Sequence, residues 1–110
     1  MYNAIAQTVA VKVADDLVNV YNKVFGTLAL GDCANMDKSI REVVARANRE
    51  FEARGALTES RRQMLSDALS ELATAREAAD GQDLMNMTDA LKRAAGRVNA
   101  LVVDVMTNLE

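Results

Sequence analysis

The stretch from Ala4 to Leu30 constrains the fold most, because it shows helical apolar spacing on two sides at once. The first row of apolar positions is Ala6, Val9, Val13, Leu17, Val20, Val24 and Leu28. The second row, rotated around the same helix, is Ala4, Val11, Ala14, Val18, Tyr21 and Phe25. Positions three or four residues apart share one face of an α-helix. The stretch therefore predicts a helix with two apolar faces.

Two interpretations of the second row stay open. A helix that is apolar nearly all round is normally buried on more than one side. Either the rest of the domain covers both rows, or one row faces the core and the other faces a second copy or a partner. A membrane span is not expected, because Lys12, Asp15, Asp16 and Lys23 interrupt the stretch and a span needs about 18 uncharged apolar residues.

Length and composition favour one helical domain. The 110 residues include no Pro, 5 Gly and only 4% aromatic residues, so the core must be built from Ala, Val, Leu and Met. A chain of this length suits one domain better than two. We therefore expect a single domain over residues 1–110.

The first two predicted helices are joined by the longest irregular stretch, residues 26–35. Helix one begins near Asn3 and ends near Gly26, or one turn later at Leu30. Helix two runs from about Asn35 or Met36 to Arg54. Its predicted buried row is Met36, Ile40, Val43, Val44, Ala47 and Phe51. The apolar centre of the connection, residues 28–30, should tuck against the bundle.

The last two predicted helices form a hairpin around the turn at residues 80–83. Helix three starts after Thr58, a good N-cap residue, and helix four starts after Asp83 or Thr88. The buried row of helix three is predicted as Leu65, Ala68, Leu69, Leu72, Ala75 and Ala79. That of helix four is predicted as Leu84, Met87, Leu91, Ala94, Val98, Leu101 and Val105. Gly96 lies outside this row, which suggests close contact with a neighbouring helix.

Together these elements predict an all-α fold, an antiparallel four-helix bundle with long first and last helices. In up-down-up-down order the end of helix four lies beside the start of helix one. Both ends carry excess apolar surface, which reaches Leu109 on helix four, so we expect association, as a dimer, at this place. The predicted partner-binding residues are Ile5, Val11, Val18, Val102, Val103 and Met106.

The residue types argue against catalysis. The chain has no His, which removes the commonest general base and the commonest metal ligand. We expect no catalytic residue, no metal, no cofactor and no small-molecule substrate, hence no enzyme. Cys33 is either a small buried thiol or a reactive one activated by the start of helix two. A single Cys and the lack of a secretion signal fit a cytoplasmic protein.

Basic residues concentrate between residues 38 and 62, although the chain has a formal net charge of −3. Glu42 and Glu50 interleave with them, which favours a solvated face of ion pairs. The other interpretation is a set of contacts to an anionic partner such as nucleic acid. The candidates are Lys38, Arg41, Arg49, Arg61 and Arg62.

The stretch from Leu57 to Val98 is similar in rhythm to the helical lid hairpin of Hsp70 chaperones. The similarity covers under half of the chain and needs insertions around residues 77–81. It implies a helical hairpin and no function.

These observations lead to one expectation about function. We expect a non-enzymatic helical interaction protein, an adaptor, an inhibitor or a chaperone-like module. It would bind a protein partner or itself through the apolar faces of the first and last helices. The alternative is a small nucleic-acid-associated regulator that uses the basic residues of helix two and the following turn.

Overall fold

The computed structural model of this chain describes residues 4–24, 26 and 28–107, and only the backbone of Ala4 and Ala6. The described residues form four α-helices: α1 (Ala4–Val24), α2 (Cys33–Ala53), α3 (Glu59–Asp80) and α4 (Leu84–Thr107). The predicted all-α four-helix fold is thus confirmed. The predicted start at Asn3 and the apolar positions Phe25 and Leu109 lie outside the described residues.

Contacts between helix ends fix the direction of each helix. The Nε2 of Gln7 donates to the backbone oxygen of Met106 at 3.5 Å, so the start of α1 lies beside the end of α4. Arg61 and Asp104 join the start of α3 to the end of α4. Consecutive helices pack side by side, and α4 closes the ring against α1. The helices therefore run antiparallel to their neighbours.

The connection before α2 differs from the prediction. The Asp32 carboxylate accepts a hydrogen bond from the Ala29 N–H at 2.8 Å, and the Asp32 N–H donates to the Ala29 oxygen at 3.0 Å. These bonds fold the chain into a 3₁₀ turn, Leu30–Asp32, that leads directly into α2. Extension of helix one to Leu30 is therefore wrong, and α2 begins at Cys33, earlier than predicted. Leu28 and Leu30 pack against the core as expected.

The caps of the hairpin follow the prediction. The Thr58 hydroxyl oxygen accepts a hydrogen bond from the Arg61 N–H at 3.2 Å, and the Asp83 carboxylate accepts one from the Asn86 N–H at 3.2 Å. Each cap satisfies a backbone donor that the first turn of a helix leaves unpaired. Helix α4 therefore starts directly after Asp83 and not after Thr88.

The core lies between the four helices and contains the apolar row predicted for α2 and, from Val9 to Val24, the first row of α1. Its fully buried side chains are mostly Val, Leu and Ala, with Phe51 the largest of those described. Leu69 and Leu84 were predicted as core and are exposed. Leu84 is the first residue of α4, at the end of the bundle. Leu69 lies at the junction of α2 and α3, the neighbouring pair that shares the least contact, so α2 does not cover it fully.

Gly96 does not mark close packing, contrary to the prediction. A Cβ atom added at Gly96 would meet no atom within 4 Å. This glycine lies in the interior of α4, where the conformational freedom that it loses on folding lowers stability. Gly55 is different, because its φ of +66° lies in the left-handed region, the conformation of a residue that ends a helix.

These two glycines give a matched pair of stability changes. Gly96→Ala should raise the free energy of unfolding by about 0.5–1 kcal/mol, since Ala is the better helix former. Gly55→Ala should lower it by about 1–2 kcal/mol, because a Cβ strains a left-handed residue. Urea unfolding followed by circular dichroism measures both. A loss of stability in Gly96→Ala would contradict the open surroundings of this position.

Candidate interaction surfaces

Two residues of the second apolar row of α1, Val11 and Val18, face outward. Val11 and Val18 are 48% and 54% exposed, whereas Ala14 and Tyr21 are half-buried at the edge of the core. The interpretation of α1 as a central helix covered on both faces is therefore wrong. Val11 and Val18 are seven residues apart, which is nearly two helical turns, so they lie on one line along α1.

Contacts of α1 show which way this line faces. Gln7, which bonds to α4, marks the α4 side of α1, and Asp16, which bonds to Arg46 of α2, marks the other side. At about 100° per residue, Val11 and Val18 lie within about 40° of Gln7. The two valines therefore face outward on the side of α4.

Helix α4 adds two exposed apolar side chains to the same region. Val103 and Met106 are 49% and 44% exposed. The contact between Gln7 and Met106 places Val103 and Met106 beside the first half of α1. We define the α1/α4 face as Val11, Val18, Val103 and Met106, four side chains on two adjacent antiparallel helices.

Two residues predicted for this surface do not belong to it. Val102 is 2% exposed and lies in the core, because it follows buried Val98 by one helical turn. Ile5 is exposed, but it lies about 120° around α1 from Val11, on the side of Asp16. The apolar rows alone could not separate these residues from the other four.

Arg61 was predicted as an exposed contact to an anionic partner and is instead 5% exposed. Its Nε donates to the Asp104 carboxylate at 2.7 Å, and its Nη1 donates to the Ala56 backbone oxygen at 2.6 Å. These bonds tie the α2–α3 connection to the end of α4. Arg61 therefore holds the bundle together and is not available to a partner.

Removal of this guanidinium should cost stability. Arg61→Met removes the hydrogen bonds that Arg61 donates to the Asp104 carboxylate and the Ala56 oxygen, so the free energy of unfolding should fall by about 2–3 kcal/mol. Arg62→Met is the matched control, because Arg62 is exposed and a surface ion pair contributes about 0–1 kcal/mol. Urea unfolding of the two variants compares them. Equal effects would contradict a structural role of Arg61.

The other predicted basic residues are exposed, and three of them form ion pairs. Nε of Arg41 lies 2.9 Å from the Asp37 carboxylate, Nη2 of Arg62 lies 3.4 Å from the Glu52 carboxylate, and Arg49 lies 3.7 Å from Glu50. Lys38 is exposed on α2. Because Arg61 is buried and three of the other four residues form ion pairs, the five predicted residues do not form one continuous basic face.

Asp37 is a buried acid that sequence reasoning missed. It is 5% exposed, and one carboxylate oxygen receives both Arg41 and Arg76, at 2.9 and 3.5 Å. It thereby links α2 to the second half of α3. The spacing of four residues between Asp37 and Arg41 indicated an ion pair, but no sequence signal indicated its burial.

Cys33 is a buried thiol, the first of the two predicted alternatives. Its Sγ lies 3.8 Å from the Ala75 backbone oxygen. Burial raises the pKa of the Cys33 thiol, and the Asp37 and Asp80 carboxylates raise it further against the opposing charge of Arg76. A raised pKa disfavours the reactive thiolate.

This shift gives stability a pH dependence. Above 9.0, the ordinary pKa of the thiol, the unfolded chain releases this proton more readily than the folded chain. The free energy of unfolding should therefore fall as the pH rises from about 8 to about 10, and burial of Tyr21, whose pKa is also raised, should add to the fall at the upper end. Cys33→Ala should show a smaller decrease in urea unfolding at both pH values. An equal decrease would contradict the contribution of Cys33.

Comparisons with protein-family models, with curated proteins and with solved structures find no match for this chain. Within residues 4–107, as far as they are described, no helix is both long enough and apolar enough to cross a membrane. Among the same residues, no three acidic or cysteine side chains are grouped so that they could hold a metal ion.

Proposed function

We propose that this chain is a non-enzymatic helical interaction protein that self-associates as a dimer through the α1/α4 face. The observation that carries the proposal is the exposure of Val11, Val18, Val103 and Met106 on one side of the bundle. Such a dimer would serve as an adaptor, an inhibitor or a chaperone-like module in the cytoplasm.

The size of this surface suits a dimer. Helix α1 has 21 residues, which gives a length of about 30 Å, and two packed helices present a width of about 20 Å. The product is on the order of 600 Å², close to the roughly 800 Å² per partner of a standard interface. A second copy offers the same apolar side chains, as a two-fold interface requires.

The arrangement of the basic residues favours a protein partner over nucleic acid. Binding to nucleic acid depends on Lys and Arg side chains that neutralise phosphates. Arg61 is buried and Arg49 lies beside Glu50 on α2, so the five basic residues do not form the continuous basic face that a phosphate backbone needs. The nucleic-acid alternative therefore has less support than the dimer.

Charge placed on the α1/α4 face should split the dimer without unfolding the chain. The double variant Val11→Asp, Val18→Asp should raise the dissociation constant at least about 100-fold, because each buried anchor contributes about tenfold or more. Val13→Asp should unfold the domain, since Val13 is fully buried. Sedimentation velocity at micromolar concentration measures association, and circular dichroism measures folding.

Ile5→Asp is the matched control, because Ile5 is an exposed apolar residue on another side of α1. It should leave the dissociation constant unchanged. A monomeric wild-type chain at micromolar concentration would contradict the dimer proposal. A double variant that associates as tightly as the wild type would also contradict it.

A further inference from the structure

The side of the bundle formed by α2 and α3 is the least closed. Of the four neighbouring helix pairs, α2 and α3 share the least contact and α3 and α4 the most. A groove of about 510 Å³ lies between α2 and α3. We call it the α2/α3 groove.

The floor of this groove is apolar. Val44 and Leu65 are nearly fully buried beneath it, and Leu69 forms one wall with 39% of its surface exposed. The rims carry the small side chains Ala45 and Ser66, which would let a helical backbone approach closely. Leu69 shares the spacing of core residues in α3, so it lies where a further helix would bury it.

The charged side chains of the groove have one sign. Arg41 and Arg62 line it, and no carboxylate is among the described residues that do. Both arginine side chains are nearly half exposed. Arg41 shares Asp37 with Arg76, so two guanidinium groups face one carboxylate there. Arg62 faces Glu52, so three guanidinium groups meet two carboxylates at the groove, and this excess of positive charge favours an acidic occupant.

The spacing of the two arginines sets the spacing of the charges they would contact. The contact between Arg62 and Glu52 places Arg62 about 11 residues along α2 from Arg41, which is about 16 Å. Eleven residues are three helical turns, so positions i and i+11 of a docked helix lie on one face. Positions i+4 and i+7 of that face lie above Leu69 and its apolar neighbours.

We infer that the α2/α3 groove docks an acidic amphipathic helix of another protein. Its carboxylates at i and i+11 meet Arg41 and Arg62, and its apolar residues at i+4 and i+7 cover Val44, Leu65 and Leu69. This is the helix-in-groove mode of recognition. The groove lies on the opposite side of the bundle from the α1/α4 face, so the inference does not depend on the dimer.

A synthetic peptide tests the inference directly. The probe is a fluorescein-labelled helical peptide of roughly 16 residues with Glu at i and i+11 and Leu at i+4 and i+7, flanked by Ala and Gln. Fluorescence anisotropy with the full chain should give a dissociation constant in the micromolar range, on the order of 10 μM. The same peptide with Lys in place of both Glu residues should bind at least about tenfold more weakly.

Variants of the chain locate the site. Arg62→Glu and Leu69→Ser should each weaken binding of the acidic peptide at least about tenfold. Their matched controls are Arg97→Glu, an equal change of charge on α4, and Ile5→Ser, a loss of exposed apolar surface on α1 outside both surfaces. Both controls should change binding less than about twofold. Circular dichroism checks the fold of each variant, and the comparison of the two peptides needs no variant.

Four results would overturn the inference. Two concern the peptides: the acidic peptide does not bind up to about 1 mM, or both peptides bind equally well. Two concern the variants: Arg62→Glu and Arg97→Glu weaken binding equally, or Leu69→Ser loses self-association. The last result would show that a second copy occupies the groove. Variants of Val11 and Val18 that abolish the dimer and keep peptide binding would separate this inference from the proposed function.

Discussion

Close packing of α3 against α4 is the interaction on which the rest of the bundle depends. Both helices turn alanines inward, and those at 68, 75, 90, 94 and 95 are fully buried. Small side chains let helix axes approach closely, and this pair accordingly shares the most contact in the bundle. Arg61 and Asp104 join one end of the pair, and the capped turn at Asp83 joins the other. Helices α1 and α2 then pack onto this hairpin and onto each other.

This arrangement leaves two surfaces on opposite sides of the molecule. Helix α1 covers one flank of α4 with its first apolar row and turns the outer part of its second row to solvent. Helix α2 packs less closely on α3, which leaves the α2/α3 groove open beside Leu69. If the first surface joins two copies, the dimer carries two grooves on its outside. Two grooves on one molecule would let a partner with two suitable helices bind with higher avidity than one.

Buried charge is the part of the structure that sequence reasoning handled least well. Arg61 was predicted to lie on the surface and Asp37 was not singled out, because charged side chains are rarely buried without partners. Their partners come from other helices: Asp104 for Arg61 and Arg76 for Asp37. Spacing within one helix cannot show such pairs, since they exist only after the helices dock. The same limit applies to Leu69, whose spacing matches the core although no neighbouring helix covers it.

The sequence by itself determined the four helices, the cap at Thr58 and most of the core, because helical periodicity and capping are local properties of the chain. It left two starts open for helix four, after Asp83 or after Thr88. It also indicated that α1 has more apolar surface than one core face needs. Only the tertiary structure decided which part of that excess is exposed. Val102 is buried and Val103 is exposed although they are adjacent, because the direction in which a side chain points matters only relative to the neighbouring helix. The α1/α4 face and the α2/α3 groove therefore follow from how the helices dock, which no local pattern specifies.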